Sequence, residues 1–64
     1  MDIRKMLRQA GEELAADMGG VLDDTMAYEI AGCMLEDPAT LKAAKKEWPG
    51  KSKAILQEIM ADCI

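Results

Sequence analysis

The sequence predicts an all-α fold: a compact bundle of four short helices over about 3–18, 24–35, 38–48 and 52–63. Three observations lead there. Apolar residues recur at three- and four-residue steps, and no convincing period-two run is present. β-Branched residues are few, with one Val, two Thr and five Ile among 64 residues. Gly and Pro fall between the periodic segments, at Gly19-Gly20, Asp37-Pro38 and Pro49-Gly50, and cut the chain into four.

Helix 1 is expected from Ile3 to Met18, with Asp2 accepting from the amides of its first turn. Ile3, Met6, Leu7, Ala10, Leu14 and Met18 form one apolar stripe. Gly19-Gly20 ends it, because glycine accepts the left-handed conformation common past a helix C-terminus. Helix 2 starts at Asp23 or Asp24 and turns Met26, Ala27, Ile30, Cys33 and Met34 inward. At Asp37-Pro38 a cap and a first helical residue stand together, opening helix 3 with Leu41, Ala44 and Trp48 inward. Pro49 disfavours helical geometry at Trp48. Helix 4 starts near Ser52 and carries the cleanest apolar face: Ile55, Leu56, Ile59, Met60 and Cys63. Two glycines lie inside helices, each costing about 1 kcal/mol relative to Ala. Gly11 sits on the stripe, where it either admits a close neighbour or is a tolerated kink. Gly32 lies off the stripe, one turn from Tyr28, whose ring is expected to cross the gap.

Sixty-four residues make one small domain. With no Phe, one Trp, one Tyr and six Met, its core is built from Leu, Ile, Ala and Met. Such cores are adaptable, and Met is over-used at partner-binding surfaces. A core this small rarely supplies more than ~3–5 kcal/mol on its own. No run approaches the ~18–20 apolar residues of a membrane span, and residues 1–20 lack a secretory apolar stretch; a cytoplasmic location is expected. There Cys33 and Cys63 read as small buried hydrophobes; a bridge between them requires helices 2 and 4 to bring their α-carbons within ~7 Å.

No side chain announces a reaction. Histidine is absent, which removes the commonest general base and metal ligand. The cysteines lack a His partner for nucleophilic work, and Asp23 to Glu29 lacks the spacing of a calcium loop. No catalytic residue, metal ligand or cofactor site is assigned. Gly50-Lys51-Ser52 resembles the last three residues of a P-loop, but Lys45 stands where that motif needs its first glycine, and no strand precedes it. Glu13-Leu14 followed by Gly19-Gly20 resembles the double-glycine leader of exported peptides, although Asp17 stands where that pattern wants an apolar residue. A glycine helix terminator accounts for the same residues.

Charge layout is the remaining clue. Between Gln9 and Leu41 lie eight acids and no Lys or Arg, so the net −4 divides into blocks of about +2, −8, +4 and −2 along the chain. Helix 1 opposes its own dipole, with Arg4, Lys5 and Arg8 at the start and Glu12, Glu13 and Asp17 near the end. Two arrangements satisfy it. In an antiparallel homodimer through helix 1, the bases of one copy face the acids of the other, with Gly11 near the centre. Alternatively, Arg4 and Lys5 meet acids of helix 2 within one chain.

These features point to a small non-enzymatic protein-interaction module, a regulator, inhibitor or adaptor, acting through an acidic helical surface toward a basic protein partner. The residues assigned to it are Arg4, Arg8, Glu12, Glu13, Asp17, Glu29 and Glu36. The alternative is nucleic-acid binding through the Lys42–Lys53 cluster, with Lys42, Lys45 and Lys46 as phosphate contacts. The calculated pI of about 4.6 and Glu36-Asp37 in the turn before helix 3 weigh against it.

Overall fold

Four side chains open four helices. In the computed structural model, which describes residues 2–20 and 22–64, Asp2, Asp23, Asp37 and Ser52 each accept from the backbone amide three residues on. The helices they cap are α1 (Ile3–Asp17), α2 (Asp24–Leu35), α3 (Pro38–Glu47) and α4 (Lys53–Cys63), with no strand among the described residues. This is the expected all-α bundle, with boundaries within one residue of those read from the sequence.

The terminators are equally local. Gly19 (φ +81°) and Gly20 (φ +99°) follow α1. The Gly20 amide donates to the Ala15 carbonyl at 2.6 Å, and Gly19 donates to Ala16 at 3.4 Å. That pair of bonds is the Schellman motif, which satisfies carbonyls the helix would otherwise leave open. Trp48 leaves helical geometry before Pro49, and Gly50 turns the chain at φ +79°.

Each buried ridge runs at four-residue spacing: Ile3, Leu7 and Gly11 on α1; Ala27, Ala31 and Leu35 on α2; Thr40 and Ala44 on α3; Leu56 and Met60 on α4. Leu7, Leu35, Leu56 and Met60 are the largest fully enclosed side chains. The α2 stripe is rotated from expectation. Ala31 and Leu35 are enclosed, Met26, Ile30 and Met34 flank them half-buried, and Cys33 is exposed. Ile55, expected inward on α4, is 45% exposed, and Met18 on α1 is 42% exposed. On α2 the small residues Ala27, Ala31 and Gly32 face α4, whose ridge is Leu56 and Met60, so Met26, Ile30 and Met34 stand at the flanks of that contact.

α2 and α4 run antiparallel and share the longest interface. Asp24 and Tyr28 lie level with Asp62 and Glu58, and Glu36 lies level with Lys53. α1 packs on α3 and α4. Its first turn meets α3, where Ile3 shares a groove with Ala43 and Glu47, and its middle meets the end of α4. Gly11 makes that second contact possible: a Cβ there would stand 2.7 Å from the Ile64 carbonyl carbon. The close neighbour of Gly11 is therefore within the chain, rather than a second α1. Gly32 is covered not by Tyr28 but by Gln57, whose Nε2 donates to the Tyr28 carbonyl at 2.9 Å.

The molecule measures 35 × 21 × 16 Å and has a radius of gyration of 11.2 Å, close to the ~10.7 Å of a compact chain this long. Its accessible surface of 4287 Å² is little more than the ~4,000 Å² of a folded monomer of its mass. The bundle closes over its own core. No helix among the described residues is long and apolar enough to cross a membrane.

Candidate interaction surface

The topology sorts the charge blocks by position. Gly11 lies against Ile64, and Asp24 lies level with Asp62, so the second half of α1, the start of α2 and the end of α4 gather at one end of the bundle. Seven carboxylates stand there: Glu12, Glu13, Asp17, Asp23, Asp24, Glu58 and Asp62. Of the Lys and Arg residues, Arg8, one turn before Glu12 on α1, borders them. The eight bases belong to the rest of the molecule: Arg4, Lys5 and Arg8 on the first half of α1, Lys42, Lys45 and Lys46 on α3, and Lys51 and Lys53 before and at the start of α4. Acids separated in sequence by forty residues thus share one field, which is strongest where like charges stand together over a low-dielectric body.

Both ion pairs found among the described residues lie away from the acidic end. Arg4 Nε donates to Glu47 Oε1 at 2.6 Å, and its guanidinium lies 5.3 Å from the Trp48 ring centroid. The hydrogen bond from Arg4 to Glu47, and then the charge of that carboxylate, raise the Arg4 pKa above its ordinary value. Lys53 Nζ stands 3.5 Å from Glu36 Oε1. Both pairs are solvated, so they fix geometry more than they stabilise.

The residues assigned from sequence therefore divide. Glu12, Glu13 and Asp17 stay together, exposed, at the acidic end. Arg4 is held by Glu47 of α3, rather than by an acid of α2. Arg8 is exposed on α1, outside both ion pairs found among the described residues. Glu36 is held by Lys53, and with Glu29 it lines a separate open groove that also contains Cys33 and Gln57. Cys33, expected to be buried, is exposed there, Cys63 is half-buried, and both are free thiols. Lys42, Lys45 and Lys46 are exposed; Lys42 and Lys46 line the groove between α1 and α3, and Lys45 and Lys46 occupy the last turn of α3, where its dipole favours them.

The same sorting adds residues that the sequence did not single out. A cleft of about 370 Å³ runs between α2 and α4, with Ala27 and Ala61 in its floor and Asp24, Tyr28, Glu58 and Asp62 around it. Tyr28 is 42% exposed. Asp24 and Tyr28 stand four residues apart on α2, as do Glu58 and Asp62 on α4; that spacing was visible, but the pairing of the two helices was not. Among the described residues no group of Cys, Asp and Glu side chains is arranged to hold a metal ion. Comparison with protein-family models, with curated proteins and with solved structures finds no match.

Proposed function

We propose that this chain is a non-enzymatic protein-interaction module, a regulator, inhibitor or adaptor, that binds a basic segment of a protein partner through its acidic end. One observation carries the reading: carboxylates from three helices gather at one end with Arg8 alone at their border, while Arg4 and Lys53 pair with Glu47 and Glu36 elsewhere. Self-neutralising surface charge would have mixed the signs. The cleft supplies the other half of the argument. Lys or Arg side chains are attracted both to carboxylates and to an aromatic face, and Tyr28 offers such a face beside Asp24, Glu58 and Asp62.

The test is a titration of a labelled lysine-rich helical peptide at low salt against two variants of equal net charge. Glu13→Gln with Asp62→Asn is expected to weaken binding about tenfold, worth ~1.4 kcal/mol. Glu29→Gln with Glu36→Gln is expected to leave it within about threefold. Equal weakening by both pairs overturns the reading, since binding would then follow net charge alone.

Self-association through α1 is a second form of the same reading. It is favoured by the outer side of that helix, where Lys5, Arg8 and Glu12 are exposed and take no part in the ion pairs found among the described residues. Arg4 is occupied by Glu47 and Gly11 by Ile64, so an antiparallel contact would rest on Lys5 and Arg8 facing Glu12, Glu13 and Asp17.

A further inference from the structure

The groove between the first turn of α1 and α3 has an apolar floor and a basic rim. Ile3, Ala39 and Ala43 form the floor, and Lys42 and Lys46 flank a volume of about 430 Å³. Glu47, the one acid among the described residues lining this groove, is held by Arg4, which leaves Lys42 and Lys46 as the charge that faces an occupant. An occupant that fits presents one adaptable apolar side chain beside carboxylates. This chain carries such an element at the far end of α1. Met18 is 42% exposed, Asp17 precedes it, and Glu13 lies one turn back. Methionine has the flexibility to fill a shallow, irregular groove.

Within one molecule the two cannot meet. Ile3 lies in the groove, and Met18 is fifteen residues further along the same helix, about 22 Å away at 1.5 Å per residue. Between molecules nothing prevents it. We propose that a second copy of this chain occupies the groove, inserting Met18 between Lys42 and Lys46 with its Glu13 and Asp17 against them. The proposal rests on the acidic end being a protein-binding surface, and it names a partner for that surface. The contact joins different patches on the two copies, so each added copy presents a fresh groove and the assembly is an open head-to-tail chain rather than a closed dimer. The contact seats one side chain between two lysines, so the interface is small and the association weak.

Sedimentation of the whole chain at about 1 mM protein, where a Kd of that order registers, tests it at ~0.01 M and ~1 M salt, with Debye lengths of about 30 and 3 Å. The expected result at low salt is a mass that climbs with concentration without a plateau, and the 7.0 kDa monomer at high salt. Lys42→Glu with Lys46→Glu removes the groove, and Glu13→Lys with Asp17→Lys removes the insert; each alone is expected to remain monomeric. Mixed in equal amounts the two variants are complementary at both contacts, intact insert with intact groove and reversed insert with reversed groove, and are expected to regain a mass that climbs with concentration. Lys45→Glu with Lys51→Glu, the same charge change outside the groove, is expected to assemble like the parent.

Three results overturn the inference. The parent stays at 7.0 kDa at low salt. Or a discrete dimer forms that is indifferent to Lys42→Glu with Lys46→Glu, as antiparallel α1 pairing predicts. Or the groove lysines bind an oligonucleotide while the parent remains monomeric. Lys42→Glu with Lys46→Glu leaves the acidic end intact, so peptide binding by that variant separates failure of this inference from failure of the proposed function.

Discussion

The two helical glycines respond to the same substitution with opposite sign. Replacing Gly with Ala inside a helix favours folding by about 0.8–1 kcal/mol through backbone entropy. At Gly11 the new methyl would stand 2.7 Å from the Ile64 carbonyl carbon and 3.0 Å from its oxygen. Those are backbone atoms, held in part by the Ile64 amide donating to Met60 at 3.1 Å. Overpacking of this kind costs about 1–3 kcal/mol. Releasing Ile64 instead loses its packing and that bond, a cost of similar size. Gly11→Ala is therefore expected to destabilise the protein by about 1 kcal/mol net. At Gly32 the methyl would meet Gln57 Nε2 at 2.6 Å, the far end of a flexible side chain. Gln57 can swing into water, giving up one exposed hydrogen bond to the Tyr28 carbonyl worth at most ~0.5 kcal/mol there. Gly32→Ala is expected to stabilise by about 0.5 kcal/mol. For a domain this small, 1 kcal/mol moves the melting temperature by about 4–8 °C, so thermal melts followed by circular dichroism resolve the two variants. A Gly11→Ala protein at least as stable as the parent would refute the packing of α1 against Ile64.

Other expectations follow from single contacts. Asp37→Ala removes a cap that holds both the amide and the buried hydroxyl of Thr40; urea titration is expected to show a loss of about 2 kcal/mol, with most of it restored in Asp37→Asn. Leu56→Ala opens a cavity at a fully enclosed site and costs about 2–5 kcal/mol, as much as the whole core of a domain this size supplies; its far-UV spectrum at 25 °C is expected to be largely unfolded, and a native spectrum counts against this core. Arg4→Met breaks the pair with Glu47 and the stacking on Trp48; Trp48 emission is expected to change while the helical signal stays. Native alkylation followed by mass mapping is expected to label exposed Cys33 well before half-buried Cys63.

What the sequence disclosed was whatever is decided within a turn of helix. Asp2, Asp23, Asp37 and Ser52 cap their own third neighbours, and Gly19 and Gly50 sit where the backbone needs positive φ. Those signals fixed the number and limits of the helices. The buried faces were less legible, because an apolar stripe weighs side chains by size while packing weighs them by how closely two backbones approach. Hence Ala31 lies inside while Cys33 and Ile55 face out. The candidate surface was legible in half. Glu12, Glu13 and Asp17 are neighbours on one helix, but their joining with Asp24, Glu58 and Asp62 depends on Gly11 seating against Ile64 and on the antiparallel pairing of α2 with α4. The partner of Arg4 lies 43 residues away, and no local pattern marks it.

The notch at Gly11 has a consequence for how the protein opens. It is the last fully buried position on α1; beyond it Leu14 and Ala15 are half-covered, and Glu12, Glu13, Ala16 and Asp17 face water. That half of the helix also carries acids where its dipole disfavours them. Local opening therefore begins there, with little core surface to expose and without disturbing the α2–α4 pair. Amide exchange should slow stepwise toward the N-terminal side of Gly11, while Ala16 and Asp17 trade their protons quickly. A partner that seats on the acidic end would be recorded as new protection of those amides.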